Sequence, residues 1–461
     1  MKLKQVIRLL FLSIFSVAIL SSCNNDDNEY TATGLSADAQ IYSFKVSAIP
    51  VTSVDSVNYP IMAKTRFSIA QSPIEALIYN LDSLPYKTAL KKFAATITYS
   101  NSSSPSRLQL VYPDSISDWN GSDSIDFSLK PRIRVTAADG VNKIDYIIDI
   151  RIHKVDPDTL TWKSAGTQPS TIGKQRTILK ENTFYTFTID NGSFSLYKAD
   201  KSNVSVWTKQ TMISTLPATV ILDNITLFNG TFYAVDAAKK SYSSIDGVTW
   251  NARNTNVYSI VGILPAATEA KDLLLVITEN AGKYYFAKTS DMNTLEVVEN
   301  LSYNPLSNEV PVNFPATGFS SVTIYDRSNL NNNLLVTTGG KLFSNAQTNL
   351  SWTIREGENK LEIMPTQENF AFTANVGISS FLYDGYMYAL TKNVLYKSSS
   401  LGYKWVAASA KEPVDSKMPK ASGQSIVIDD ENYIWVFGGV SDAGSTPVRE
   451  IWKGRLNKLI P

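Results

Sequence analysis

Three features of the sequence predict an all-β chain, with an N-terminal Ig-like β-sandwich followed by a six-bladed β-propeller. The first is the stretch Leu227-Phe228-Asn229-Gly230-Thr231-Phe232-Tyr233-Ala234-Val235, followed by Tyr242-Ser243-Ser244-Ile245-Asp246-Gly247-Val248-Thr249-Trp250. It reads as two hairpins in a row, and versions of it recur to the end of the chain. The second is composition: 23 Tyr and 19 Phe, with frequent Ser, Thr and Asn, favour strands and turns over helices. The third is length, since 461 residues are too many for one core and imply two or more domains.

Composition also narrows the chemistry. Lys plus Arg is 43 and Asp plus Glu is 42, so no net field draws in nucleic acid. One Cys and one His exclude an internal disulfide and a Cys/His zinc site. Any reaction would have to use carboxylates, Tyr, Lys or hydroxyls, and no cofactor or metal is expected.

The N-terminus reads as an address. Lys2, Lys4 and Arg8 form a positive region, and Leu9 to Leu20 is an apolar run too short to span a bilayer comfortably. Leu20-Ser21-Ser22-Cys23 then resembles the bacterial lipobox, in which the Cys becomes the lipid-modified N-terminus. An ordinary signal peptide with an incidental Cys is the bland alternative. The only Cys of the chain sits where a lipobox needs it, which favours lipid attachment at Cys23 and accounts for the lack of other thiols in an exported protein. Residues 1–22 are thus expected to be a lipoprotein signal peptide, and 23–37 a polar, flexible tether. No Asp follows Cys23 directly. The acidic stretch Asn24-Asn25-Asp26-Asp27-Asn28-Glu29 resembles the export signal of surface lipoproteins in the Bacteroidetes type of envelope. The expected location is the outer membrane, lipid-anchored, at the cell surface.

Residues 38–156 carry strand-like runs with period-two alternation, broken by Pro, Asn, Asp and Gly clusters. They are Ala39 to Ala48, Pro60 to Ala70, Phe93 to Tyr99, Leu108 to Tyr112, Ile125 to Leu129, Arg132 to Ala137 and Lys143 to His153. In the last, Ile144, Tyr146, Ile148, Ile150 and Ile152 alternate with partly polar partners, behind the turn Ala138-Asp139-Gly140. About seven strands in about 115 residues fit an immunoglobulin-like sandwich. Tyr79 to Leu90 reads equally as a short helix or a long loop. His153 stands alone and reads as a packing or surface residue rather than a ligand. Val155-Asp156-Pro157-Asp158 marks the domain boundary, because Pro forces the preceding residue out of helical space.

From 157 to 461 one unit repeats. Its first half is an apolar position, a turn and an aromatic strand, at Leu179 to Phe187, Leu227 to Val235, Leu382 to Leu390 and Ile428 to Phe437. Two weaker copies, Asp272 to Ile277 and Asn331 to Val336, fill the gap between the second and the fifth. The second half ends in Trp207, Trp250, Leu295, Trp352 and Trp405, at steps of 43, 45, 57 and 53. Four short strands per unit at that period point to a propeller, with the Trp as a wedge between blades. The last unit has only three strands. Trp162 lies in an early strand with none before it, so residues 159–165 are expected beside 448–456 as the fourth. That closes six blades and removes open edges. Rings of five or seven are the alternatives, since the third and fourth copies are weak.

Ser244-Ile245-Asp246-Gly247-Val248-Thr249-Trp250 is similar to a shortened Asp-box, the hairpin of sialidase-type propellers, and Ser398-Ser399-Ser400-Leu401-Gly402-Tyr403-Lys404-Trp405 matches it with Ser at the Asp place. Trp435-Val436-Phe437-Gly438-Gly439 and Arg449-Glu450-Ile451-Trp452-Lys453 are similar to a Kelch repeat. The whole layout resembles a family of Bacteroidetes-type lipoproteins of unknown function with a sandwich-like domain ahead of a Kelch-type propeller. The resemblance implies an address and an architecture, and carries over no catalytic residues.

No catalytic set stands out. A sialidase would need an Arg triad, and Arg176, Arg253, Arg327, Arg355, Arg449 and Arg455 lack the Arg-Ile-Pro context of those enzymes. Asp429-Asp430-Glu431 reads as a solvated turn rather than a calcium site, and Thr338-Gly339-Gly340 as a turn rather than a phosphate loop. The expected function is a non-catalytic binding or scaffold module. It would be held to the membrane through Cys23 and would present a propeller face to a glycan or an envelope protein. A hydrolase of extracellular polysaccharide is the alternative. Asp, Glu and Arg gathered at one end of the central channel would favour the enzyme, whereas Ser, Asn and Tyr there would favour the binder.

Overall fold

The structure is a computed structural model describing residues 34–47, 59–72, 75–91, 93–99, 104–121, 123–266, 271–304, 306–326, 329, 332–358, 360–366, 371–441 and 446–457. The signal, Cys23 and most of the tether lie outside the described residues. The chain divides into two compact units at Asp156/Pro157.

In the first unit a six-stranded sheet runs in the order Phe67–Ala70, Glu75–Asn80, Lys143–Asp149, Arg132–Thr136, Arg107–Val111, Ile116–Asp118. Only the Glu75–Asn80 and Lys143–Asp149 pair is parallel. Ile41–Ser47 pairs with Ala94–Tyr99 as a second, two-stranded sheet. The alternation read from sequence sets the core: Ile144, Tyr146 and Ile148 are buried, with Ile41, Phe44, Ile78 and Ile133 around them. Tyr146 also pins the first strand, because its hydroxyl accepts the Ile41 N–H at 2.8 Å and donates to Gln71 Oε1 at 3.0 Å.

Two of the expected strands are corrected here, and one of them, Ile125 to Leu129, is a short 3-10 helix over Phe127–Leu129 instead. Pro60 to Ala70 is not one strand: Tyr59–Lys64 is a helix, and only Phe67–Ala70 is extended. A Pro at the start of a helix loses no hydrogen bond there and presets the first turn, a signal that the apolar alternation masked. Tyr79 to Leu90 resolves into the end of the Glu75–Asn80 strand and a loop. His153 lies beyond the Lys143–Asp149 strand and donates its backbone N–H to Leu84.

The second unit contains six four-stranded antiparallel sheets. Five are sequential meanders within 175–209, 226–252, 257–297, 320–365 and 379–407. The sixth takes Ser425–Ile428, Ile434–Phe437 and Glu450–Leu456 from the C-terminal part, and Leu160–Thr167 as its fourth strand. Gly454 stands opposite Trp162 in that pairing, and the indole covers the glycine so closely that a Cβ would sit about 2.5 Å from it. The first strands, Gln175–Lys180, Thr226–Phe228, Val257–Leu264, Ser320–Ile324, Ser379–Tyr383 and Ser425–Ile428, neighbour one another in order, and the sixth neighbours the first.

The recurrent Trp fills the seams. Trp250 packs on Phe187 and Phe194 of the preceding sheet, each 6.0 Å away between ring centroids. Trp405 donates its indole N–H to Ser351 Oγ of the sheet before its own at 2.9 Å. Trp207 meets Phe437 of the sixth sheet. Trp352 departs from the expected place: it lies in a third strand, Gln347–Glu356, and not at the end of its unit. Leu342-Phe343-Ser344 lies in the tight turn closed by Leu342 N–H to Ala346 O. Thr338-Gly339-Gly340 is not the expected turn but a bulged part of the strand Leu334–Lys341. Gly339 is needed there because a Cβ would meet Ile378 Cδ1 at 2.6 Å in a backbone of φ +66°.

The hairpin at 244–250 shows why its sequence recurs. Asp246 Oδ1 accepts the N–H groups of Val248 at 2.9 Å and Thr249 at 2.8 Å, and Trp250 donates its indole N–H to Gly247 O at 3.0 Å. Burial pushes the Asp246 carboxyl up, but these hydrogen bonds outweigh it and hold it below its ordinary value. In the 398–405 hairpin, Ser398 Oγ accepts the Gly402 N–H and Ser400 Oγ the Lys404 N–H, so hydroxyls replace the carboxylate. Asp246→Ala is expected to cost about 1–2 kcal/mol, since it leaves two turn N–H groups without an acceptor. Urea unfolding checks this; an unchanged midpoint would mean the turn holds without the carboxylate.

Candidate functional site

The first strands leave one backbone edge facing the centre of the second unit, and neighbouring sheets satisfy it with short polar side chains. Ser320 Oγ accepts the Ser380 N–H at 2.9 Å, Ser425 Oγ the Thr177 N–H at 2.9 Å, and Asn224 Oδ1 the Ile260 N–H at 3.0 Å. This is why Ser and Asn stand where strand propensity alone would favour Val or Ile.

At one end of these strands the loops narrow on glycines. Gly318, Gly377 and Gly423 have φ of +65°, +77° and +68°, and their backbones touch, with the Gly423 N–H donating to Gly377 O at 2.6 Å. A Cβ on Gly377 would lie 2.6 Å from the Gly423 nitrogen. The glycines enclose a cavity of about 80 Å³. Ser320, Ser380, Gln424, Arg176 and Asp223 are among the residues that line it. Asp223 forms an ion pair with Lys174 at 2.8 Å. Arg176 is half-buried with its Nε fully buried, and burial pushes its guanidinium pKa down while Asp223 acts in the opposite direction.

The other candidate arginines do not converge here. Arg253 donates to Ser243 Oγ, Arg355 pairs with Glu362, Arg455 lies over the Tyr433 ring, and the Arg449 carbonyl accepts from Gln168. Arg327 lies outside the described residues. Asp429 organises its own turn: it accepts the Glu431 and Tyr433 N–H groups and the Trp435 indole N–H, the last at 2.8 Å. Asp430 pairs with Lys201. Among the described residues no group of His, Cys, Asp or Glu is placed to hold a metal ion, and no helix is long and apolar enough to cross a membrane.

A second concavity, of about 650 Å³, lies on the rim of the fourth and fifth sheets. Met364, Leu401 and Tyr403 give it an apolar floor beside the Arg355–Glu362 pair. Met364 is 52% exposed and Tyr403 38%, so the floor is open to a partner. Its size is in the range of small-ligand sites.

Sequence reasoning did not bring Arg176 and Asp223 to one cavity. A signal was present in the register Gly318-Phe319-Ser320-Ser321, Gly377-Ile378-Ser379-Ser380, Gly423-Gln424-Ser425-Ile426 and Gly173-Lys174-Gln175-Arg176. The fourth place is Ser, Ser, Ile and then Arg, which singles out the cation.

The family model described as "DUF6242 beta propeller domain" matches residues 156–460. That described as "Domain of unknown function (DUF6242) N-terminal domain" matches 43–150. No curated protein matches the chain. Among solved structures, "Structure of YjhT" is similar at 10% identity and a TM-score of 0.45, over 62% of this chain and 95% of that one. A mutant of the GH43 protein BlXynB from Bacillus licheniformis is similar at 15% identity and a TM-score of 0.30, over 63% of this chain and 53% of that one. A thermostable family-43 glycoside hydrolase is similar at 12% identity and a TM-score of 0.30, over 62% and 90%. Likeness at this level says nothing of activity.

Proposed function

The chain belongs to the DUF6242 family, and on that premise we propose that it is a non-catalytic binding module of the cell envelope, acting through its propeller face on a glycan or protein ligand. In this reading residues 38–156 are an Ig-like sandwich and 157–461 a six-bladed, Kelch-like ring closed by Leu160–Thr167. A lipid on Cys23 tethers both at the outer membrane. The make-up of the channel head supports the reading. Hydroxyls, two side-chain amides and glycine backbone meet there with one guanidinium and one carboxylate, and that carboxylate is already paired with Lys174. A glycosidase needs two carboxyl groups about 5–10 Å apart around a sugar; the cavity lining offers Asp223 alone among the described residues.

The test is binding of soluble residues 24–461 to a broad glycan panel, with product analysis on every hit. Binding without cleavage is the expected result. Cleavage would overturn the module reading in favour of a polysaccharide hydrolase. A blank panel would remove glycans and leave a protein partner, to be sought by crosslinking on intact cells.

A further inference from the structure

We propose that the head of the central channel is a binding site for one small oxyanion, a carboxylate or an inorganic oxyanion of similar size, gripped by the guanidinium of Arg176. Four observations converge on it.

The first is the state of Arg176. Its side chain makes no hydrogen bond or ion pair to any described residue, and its Nε is buried with no partner. A guanidinium carries five N–H donors in a fixed fork. To bury one of these donors unpaired is costly, and native proteins avoid doing so unless something else pairs it. The second is the neighbouring carboxylate. Asp223 makes its ion pair with Lys174 at 2.8 Å and not with Arg176. Two cations and one carboxylate leave one net positive charge at the site, which a monoanion neutralises.

The third is the Ser380 hydroxyl, which also lacks a protein partner and lines the same cavity. A hydroxyl is a donor that can complete the coordination of an oxyanion. The fourth is size. The cavity of about 80 Å³ exceeds the roughly 10–15 Å³ that one water needs on the same measure. That admits a carboxylate or a bare oxyanion. Arg suits the task better than Lys would, because its planar fork meets two oxygens of one group at once.

This site goes beyond the module reading and is tested apart from it, so a blank glycan panel leaves it standing. The experiment is calorimetric titration of the purified protein with sodium acetate and with inorganic phosphate, at low salt and neutral pH, with chloride at matched ionic strength as control. Arg176→Gln and Arg176→Lys are titrated alongside. Saturable one-site binding of acetate or phosphate to the wild type is expected, with affinity about tenfold or more lower in Arg176→Gln and an intermediate loss in Arg176→Lys. Acetate alone would assign an organic carboxylate; phosphate alone would assign an inorganic oxyanion. Thermal unfolding without added anion is expected to show Arg176→Gln at or above the wild-type midpoint, because an uncompensated charge has gone. Three results would overturn the proposal: no saturable binding of either anion to the wild type, equal affinity in Arg176→Gln, or a large loss of stability in that variant, which would make the guanidinium a structural member.

Discussion

Replacing Glu412 by Gln is expected to remove about 2–3 kcal/mol of stability at neutral pH, and the loss is expected to fade as the pH drops from about 4.5 towards 2. Glu412 is 6% exposed at its side chain and pairs with Lys397 at 2.7 Å. It also accepts from the Tyr388 hydroxyl at 2.6 Å and the Ser409 hydroxyl at 2.8 Å. Burial by itself pushes the carboxyl up. The hydrogen bonds from Lys397, Tyr388 and Ser409 outweigh it and bring the carboxyl down from 4.5 to about 2. The sign follows. A carboxyl depressed in the folded state stabilises the fold above its unfolded pKa, and that contribution is lost as the pH falls through the folded one. The same carboxylate, with burial, raises the Tyr388 phenol, so both ends of the bond favour a charged Glu412 and a neutral Tyr388. Lys397 is held in place as well, 3.9 Å from the centre of the Tyr386 ring. The check is urea unfolding of wild type and Glu412→Gln at pH 7, 5, 4 and 3. A difference that stays constant across this range would show that Glu412 is not ionised in the fold.

What the sequence made legible, and what it hid, divides along a physical line. The all-β class and the propeller are carried by local signals: the turn residues, the aromatic alternation and a Trp that returns once per unit. Such signals survive because each hairpin makes its own turn. Asp246 shows it directly, holding two N–H groups within three residues of itself. Counting strands likewise placed residues 159–165 beside 448–456, where Leu160–Thr167 meets Glu450–Leu456. The failures are of two kinds. At Pro60 and at Thr338-Gly339-Gly340 a local rule was read with the wrong partner in mind: a helix start was taken for a strand, and a bulge for a turn. At Trp352 the long stretch before the fourth sheet shifted the Trp from the fourth strand to the third, and a period-based reading has no means to see such a shift. The channel head is hidden for another reason. Residues 173–176, 318–321, 377–380 and 423–426 meet only because the sheets are arranged around one centre. A lone Arg176 among Ser-bearing counterparts becomes chemistry only once Asp223 is known to be paired elsewhere.

A disulfide between the Thr161 and Arg455 positions is expected to raise stability by several kcal/mol. The two residues are register partners in the sixth sheet, and the Thr161 hydroxyl meets the Arg455 carbonyl at 3.3 Å. Antiparallel partners stand about 4.5–5.5 Å apart at Cα, within the span of a disulfide. Both side chains are exposed, so their removal leaves no cavity. They lie 294 residues apart in sequence, so the bond would tie the start of the second unit to its end. In the chain-entropy account a closed loop of 100 residues already gives about 4.7 kcal/mol, and native-state strain brings engineered bonds below that limit. Without the bond, separation of Leu160–Thr167 would expose the edge of Glu450–Leu456 and offer it to another chain. Kinetic resistance to aggregation is therefore expected to rise with the equilibrium midpoint. The variant is Thr161→Cys with Arg455→Cys in a Cys23→Ser background, so that only the new pair can form. The oxidised form is expected to melt roughly 5–10 °C above its own reduced form. Two thiols that stay free under mild oxidation would show that these strands are not paired in solution. A bond that forms without raising the midpoint would show that unfolding begins elsewhere, at a seam between sheets whose Trp is the better target.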